Sequence, residues 1–340
     1  MHSNYTVSIL VTVFREERYI ERCARSLFEQ TYADLEYIFV DDGSKDASIA
    51  ILERVIKEYP AREESVRIIR HAGNRGLAAA RNTAFDHARG EFVCVVDADD
   101  WLPLDAVERM VDEQVATGAD VVWGKALMHT EKGEIELKEP CYKDVEEWRQ
   151  CYFRFTTGLV MVNWRRIIRR SLLEENHIRH EEGKHIGNDK QLMPLIAYYA
   201  QSFSSVDAIV YHYERRNPEA STYKDAHGEY VLLKSTREIE SMRRIVRFLA
   251  DKEPGYLDTA QYAKLERLLK YRKDALVHAS REGFRKMVGW IWETPAGYRK
   301  RYGWGSHSLK TILKSNYEIS RLLYLTKRAV NRLKKQRHED

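Results

Sequence analysis

Between Thr6 and His129 the chain alternates short β-rich apolar runs with stretches of helical periodicity. That alternation restricts the fold more than any other feature, because it is the pattern of parallel βαβ units. "VSILVTVF" reads as a first strand, followed by Ile20, Cys23, Ala24, Leu27 and Phe28 at helical spacing. "EYIFVDDG", "VRIIRH" and "EFVCVVDADD" read as the next three strands. A helix carrying Ile49, Leu52, Val55, Ile56 and Tyr59 lies between the first two of these, with Asp46 or Ser44 placed to cap it. "GLAAARNTAFDHARG" is a helix that Gly90 closes at a left-handed position, with Asn74 and Gly76 shaping the turn before it. A further helix from Asp105 to about Ala116 leads to a strand in "ADVVWGKALMH". The fold class is therefore α/β, a Rossmann-like, mostly parallel sheet flanked by helices.

In such a sheet the carboxyl ends of the strands lie along one edge, where ligands bind. Asp41 and Asp42 end the second strand, and Asp97, Asp99 and Asp100 end the fourth, so both acidic groups face one crevice. The loop after the first strand, "REERYI", has no glycines and offers no dinucleotide-type phosphate cradle. A phosphate ligand then needs another source of positive charge. Carboxylates spaced as in "DADD" can hold Mg²⁺ or Mn²⁺ through oxygen, with substrate phosphates completing the shell. The competing reading makes these acids turn formers or helix caps.

Beyond Met128 the pattern weakens, then becomes long, charged and helical from Gly228 to His278. A basic helix from about Ser308 to Lys335 follows; from Phe284 onward there are 14 Lys and Arg against 4 Asp and Glu, where the whole chain is only +4. The tail is a membrane-surface helix or a helix packed on its domain, and it has no recognisable nucleic-acid motif. No apolar run approaches the roughly 18 residues of a membrane span. The four cysteines form no CxxC pair and read as reduced, which points to the cytoplasm.

Four ordered motifs, "VSILVTVFREERYIERCARSLFEQTY", "EYIFVDDGSKDAS", "NRGLAAARNTAFDHARGEFVCVVDADDWLPLD" and "GNDKQLMPL", resemble the inverting family 2 glycosyltransferases of GT-A fold. The resemblance runs over about Val7 to Thr222. It implies a catalytic domain over 1–225, with a nucleotide-sugar half to about 129 and an acceptor half over 130–225, and a helical extension over 226–340. It implies a nucleotide-diphosphate-sugar donor, most often a uridine one, and a hydroxyl of a glycan or lipid-linked glycan as acceptor, in bacterial surface polysaccharide or lipopolysaccharide assembly. Such an enzyme would lie in the cytoplasm or peripherally at the inner face of the membrane.

Carried over by position, the resemblance implies that Thr12 and Phe14 line the base pocket, Asp42 accepts from the base imide, and Arg81 lies near the nucleotide. Asp97 would hold the ribose or a metal-bound water, and Asp99 would ligate Mn²⁺ or Mg²⁺ directly. Asp189 matches the base that removes the acceptor's proton, although an acid at a helix N-terminus is also favoured by the helix dipole. Asn188 stands where the family usually has Glu, and Thr12, Phe14 and Arg15 replace its usual Pro and Tyr-Asn. His212 and Arg215 are candidates for a diphosphate or metal contact, or are packed strand residues. Two rivals stand beside this reading: a Mg²⁺-dependent phosphohydrolase built on "DADDW", and a non-catalytic scaffold whose basic tail binds anions.

Overall fold

The computed structural model describes residues 6–154, 161–183, 188–217, 228–277, 280–301 and 316–322. The chain divides into two compact units, Met1–Lys224 and Asp225–Asp340.

The first unit is built on eight strands: β1 (Val7–Val13), β2 (Leu35–Asp41), β3 (Val66–Arg70), β4 (Phe92–Asp97), β5 (Val121–Thr130), β6 (Gly133–Leu137), β7 (Arg166–Arg169) and β8 (Phe203–Glu214). Its helices are α1 (Ile20–Phe28), α2 (Ser48–Glu58), α3 (Pro60–Glu63), α4 (Leu77–His87), α5 (Ala106–Thr117), α6 (Val145–Phe153), α7 (Arg170–Glu175) and α8 (Asn188–Tyr199). The sheet order is β3-β2-β1-β4-β7-β5-β6, with β8 pairing β5. β1 is parallel to both β2 and β4, and β3 is parallel to β2. β7 is antiparallel to β4 and to β5, while β8 runs parallel to β5. This is the mostly parallel, helix-flanked sheet that the sequence predicts.

β1, β2 and β4 read as near-continuous apolar runs because helices cover both of their faces. Val7, Ile9, Val11, Leu27, Phe39, Leu52, Val96 and Val107 belong to one buried cluster. Fully burying each such side chain stabilises the fold by about 1.5–3 kcal/mol.

The register pairs Thr12 with both Val40 and Asp97, so the ends of three adjacent strands stop at one level. The β1–α1 loop is held there by the loop after β2. The amide of Arg15 donates to Ser44 Oγ (3.2 Å), that of Glu16 to Ser48 Oγ (2.8 Å) and that of Glu17 to Asp46 Oδ2 (3.2 Å). The backbone amides that would cradle a phosphate in a glycine-rich loop are thus already satisfied by protein.

Two local expectations change, and a third gains detail. Gly90 does not take a left-handed φ; α4 ends at His87 with Ala88 extended. Gly90 is needed for close approach, since a Cβ there would lie 2.6 Å from the Ser8 nitrogen. The cap of α2 is Ala47, while Asp46 accepts from the Ser48 amide and hydroxyl just inside the helix. The long helical pattern after Gly228 is two helices, α9 (Gly228–Lys252) and α10 (Pro254–Val277). Pro254 lacks the amide hydrogen needed to continue α9 but is suited to a first turn.

The second unit is helical, with α11 (Arg281–Glu293) and α12 (Ala296–Arg301) following α10. Phe284, Val288, Ala275 and Tyr317 form a small buried cluster in it. Most of the expected basic helix over 308–335 lies outside the described residues. Among those described, no helix is long and apolar enough to cross a membrane.

Candidate active site

The parallel strands carry the acids of β2 and β4 to the same sheet edge, and each acid does a different job there. Asp42 is buried and its carboxylate fixes the turn before α4: Oδ1 accepts from the Arg75 amide and Oδ2 from the Gly76 amide, both at 2.8 Å. His71 Nδ1 also lies 2.8 Å from Asp42 Oδ1, and its Nε2 lies 3.0 Å from Thr83 Oγ1. A carboxylate has about four lone-pair sites, so three contacts leave one for a ligand.

The three acids of "DADD" also separate. Asp100 is fully buried, accepting from Tyr211 Oη (2.6 Å) and the Glu214 amide (2.7 Å), so it ties the loop to β8. Burial, reinforced by Asp99 and Asp97, pushes its carboxyl well above the ordinary range. Asp99 accepts from Asn217 Nδ2 (2.9 Å), and its carbonyl accepts from Arg22 Nη2 (2.8 Å). Burial and the neighbouring charge of Asp97 push the Asp99 carboxyl up to about 6. Asp97 takes the cation: Arg81 Nη2 donates to its Oδ1 at 2.7 Å.

Arg81, only 4% exposed, also donates from Nη1 to Asp189 Oδ1 at 2.8 Å. One guanidinium therefore joins the end of β4 to the first turn of α8, where Asp189 lies 108 residues beyond Arg81. Burial opposes its charge, but Asp97 and Asp189 outweigh that and hold it above the ordinary arginine range. Burial also raises the Asp189 carboxyl; Arg81 opposes the rise and Asp97 adds to it. Asp189 keeps 22% of its side-chain surface open.

Thr12 ends β1 half-buried, and Phe14 beyond it is 38% exposed, with the Arg15 guanidinium 5.1 Å from its ring centre. Arg15 itself sits at φ 61°, a left-handed conformation uncommon for a residue with a side chain. His212 is placed differently from these. Tyr211, its neighbour on β8, points at Asp100, so His212 points to the opposite face. There it stacks on Trp101 at 4.8 Å and lies with its Nδ1 3.0 Å from His129 Nε2. Burial, then His129, lowers its pKa. Arg215 donates to Tyr213 Oη at 3.3 Å. Among the described residues no group of three or more His, Cys, Asp or Glu side chains converges to hold a metal.

Several residues at this edge carry no recognisable signal in the sequence. Arg22 lies 3.7 Å over the Trp101 ring and pairs with Glu214 (3.2 Å). Burial raises the Glu214 carboxyl, but Arg216 and Arg22 overcome this and pull it down to about 2. Asn217, His71 and Tyr211 act through partners 29 to 118 positions away. Only the alternation along β8 could have singled out Tyr211.

The acids gathered at the carboxyl ends of the parallel strands make this edge the candidate site, since ligands of such sheets bind there. The model of glycosyl transferase family 2 matches residues 8–177, and the chain belongs to that family. EpsH of Bacillus subtilis is 31% identical over 212 residues, 61% of this chain and 60% of its own length, so the match spans less than two thirds of that relative. The poly(ribitol-phosphate) β-glucosyltransferase of Bacillus spizizenii is 36% identical over 121 residues, 35% of this chain and 19% of that one. The crystal structure of S. aureus TarS 1–349 in complex with UDP-GlcNAc superposes with a TM-score of 0.72 at 20% identity, over 95% of this chain and 92% of that one. Membership of a glycosyltransferase family favours the transferase reading of the sequence over the phosphohydrolase one.

Proposed function

We propose that this enzyme moves a sugar, with inversion, from a nucleotide diphosphate to a glycan or glycolipid hydroxyl, with UDP as the leaving nucleotide. The observation that carries the reading is the Asp97–Arg81–Asp189 chain, which holds the candidate base beside the acids of the donor edge. Asp189 accepts the acceptor's proton as its oxygen attacks the anomeric carbon opposite the departing diphosphate. Its upward shift brings a carboxylate closer to the operating pH of a general base. Phe14 and Thr12 flank the base, and Asp42 uses its remaining lone pair on the base imide.

The residues present fit a divalent cation. Asp99 is a partly buried acid beside a second acid, and the charge nearest it is unfavourable. Asp99 and Asp97 would hold Mn²⁺ or Mg²⁺, leaving coordination positions for substrate phosphates. Such an ion neutralises the diphosphate leaving group. The UDP-GlcNAc held by TarS and the polymeric acceptor in the name of the Bacillus spizizenii relative support a uridine donor and a surface-polysaccharide acceptor. A peripheral place at the inner membrane face rests on the pattern of the basic tail.

Thermal unfolding of wild type and Asp99→Asn with UDP or GDP, with and without Mn²⁺, tests the donor site. Stabilisation by UDP that requires both Mn²⁺ and Asp99 is expected; no stabilisation by either nucleotide removes the assignment. Asp189→Asn is expected to lower turnover by about 10²–10⁴-fold with UDP binding retained. Wild-type turnover in that variant removes Asp189 as the base.

A further inference from the structure

We infer that Arg81 and Asn82 on α4 are positioning residues for Asp189, rather than residues that bind the nucleotide; the inference rests on Asp189 being the base. α4 is built for this. Ala78, Ala79, Ala80 and Ala84 are buried, so the helix packs closely on β1 and β2 and leaves its longer side chains to reach outward. Its start is fixed by the Asp42 carboxylate on the Arg75 and Gly76 amides.

From that anchored helix Arg81, Asn82 and Phe85 reach His180 and Asp189. Asn82 clamps His180 in both directions, its Nδ2 donating to the His180 carbonyl and its Oδ1 accepting from the His180 amide, each at 2.9 Å. Phe85 stacks on the His180 ring at 5.9 Å. The Glu181 amide donates to Gln191 Oε1 at 3.3 Å, closing the segment onto α8 two residues past Asp189. Arg81 then holds the Asp189 carboxylate itself. Its second amino group is committed to Asp97, and the two carboxylates occupy both ends of the planar fork. A donor that engages Asp97 therefore meets, through one rigid guanidinium, the group that must deprotonate the acceptor.

The test measures UDP affinity in Mn²⁺ and the rate of UDP release from UDP-N-acetylglucosamine, for Arg81→Lys, Arg81→Ala and Asn82→Ala. Lysine keeps the charge but cannot bridge two carboxylates with a planar fork, so kcat should fall about 100-fold, as for a misplaced catalytic group, with UDP affinity unchanged. Asn82→Ala, which removes no charge, should lower kcat about 10-fold in the same pattern. Added guanidinium should restore part of the kcat of Arg81→Ala, which a general loss of fold would not allow. Weakened UDP binding with wild-type kcat at saturating donor would assign Arg81 to the nucleotide and overturn the inference, as would a wild-type kcat in Asn82→Ala. Failure of the underlying reading looks different: Asp189→Asn then turns over normally, whatever the α4 variants do.

Discussion

Two clusters of buried charge in the first unit are built on opposite plans. Glu139, Arg165 and Arg166 have fully buried side chains, and the Glu139 carboxylate takes Arg165 at 3.1 Å and Arg166 at 2.9 Å on Oε2. Tyr142 and Tyr152 donate to its Oε1 at 3.3 and 3.2 Å. Arg165 adds bonds to the carbonyls of Gly124 and Leu137, and Arg166 one to Val162. Burial, then Arg166, pushes Arg165 down to about 10, and it sits at φ 63°, yet this dense network keeps it in place. The acids at the sheet edge are the reverse case. Asp97 meets the Arg81 guanidinium, while the Asp99 carboxylate is opposed by its neighbour's charge. A cluster whose polar atoms find partners locks a structure; one left short of positive charge is complete only with a ligand.

The sharpest way to break this contrast is to remove the centre of the locked cluster. Glu139→Gln should destabilise the protein by about 3–5 kcal/mol, because two buried guanidinium groups lose their shared anion. Urea unfolding measures this, and a loss below about 1 kcal/mol would mean the cluster is not held by charge.

Asp99→Asn should act with the opposite sign. Its carboxyl titrates near 6 in the fold against an ordinary 3.8, so between those values the folded state binds more protons than the unfolded one. Stability therefore falls as pH rises from about 4 to about 6, by at most roughly 3 kcal/mol. In metal-free buffer the asparagine variant should melt higher than wild type at pH 7.5 and together with it at about pH 4. Equal melting at both pH values would show that Asp99 is already neutralised within the protein.

The smallest effect on stability belongs to Phe14→Ala. With its ring 38% exposed, folding should change by no more than about 0.5 kcal/mol. UDP binding should weaken by about 1–3 kcal/mol if the ring stacks on the base, which isothermal titration resolves. Unchanged affinity would move the base pocket away from β1.

The acidic sheet edge is far more legible in the sequence than Asp189 and the side chains that hold it. β1, β2 and β4 are apolar runs ending in acids, and a parallel sheet admits one placement for those ends, so Asp42, Asp97 and Asp99 could be located before any coordinates. Asp189 is an acid in the first turn of a helix, a position that the helix dipole favours in any protein, and only the resemblance to a family raised it above that. Arg81 was legible as a charged residue on an alanine-rich helix, but its two partners were not. Gly90 was assigned to the right place for the wrong reason, because close approach of Ser8 is a property of packing and not of the local run. His212, which the sequence leaves as either a diphosphate or metal contact or a packed strand residue, stacks on Trp101 and lies beside His129.

Periodicity and strand-end chemistry are local, and by themselves they determined the parallel sheet, its acidic edge and the helical nature of the C-terminal unit. The division of labour among three adjacent aspartates, the clamp of Asn82 on His180 and the bridge of Arg81 from Asp97 to Asp189 were decided only by tertiary structure. Their partners lie 98, 108 and up to 118 residues apart, and a hydrogen bond acts over about 3 Å of space with no regard for distance along the chain.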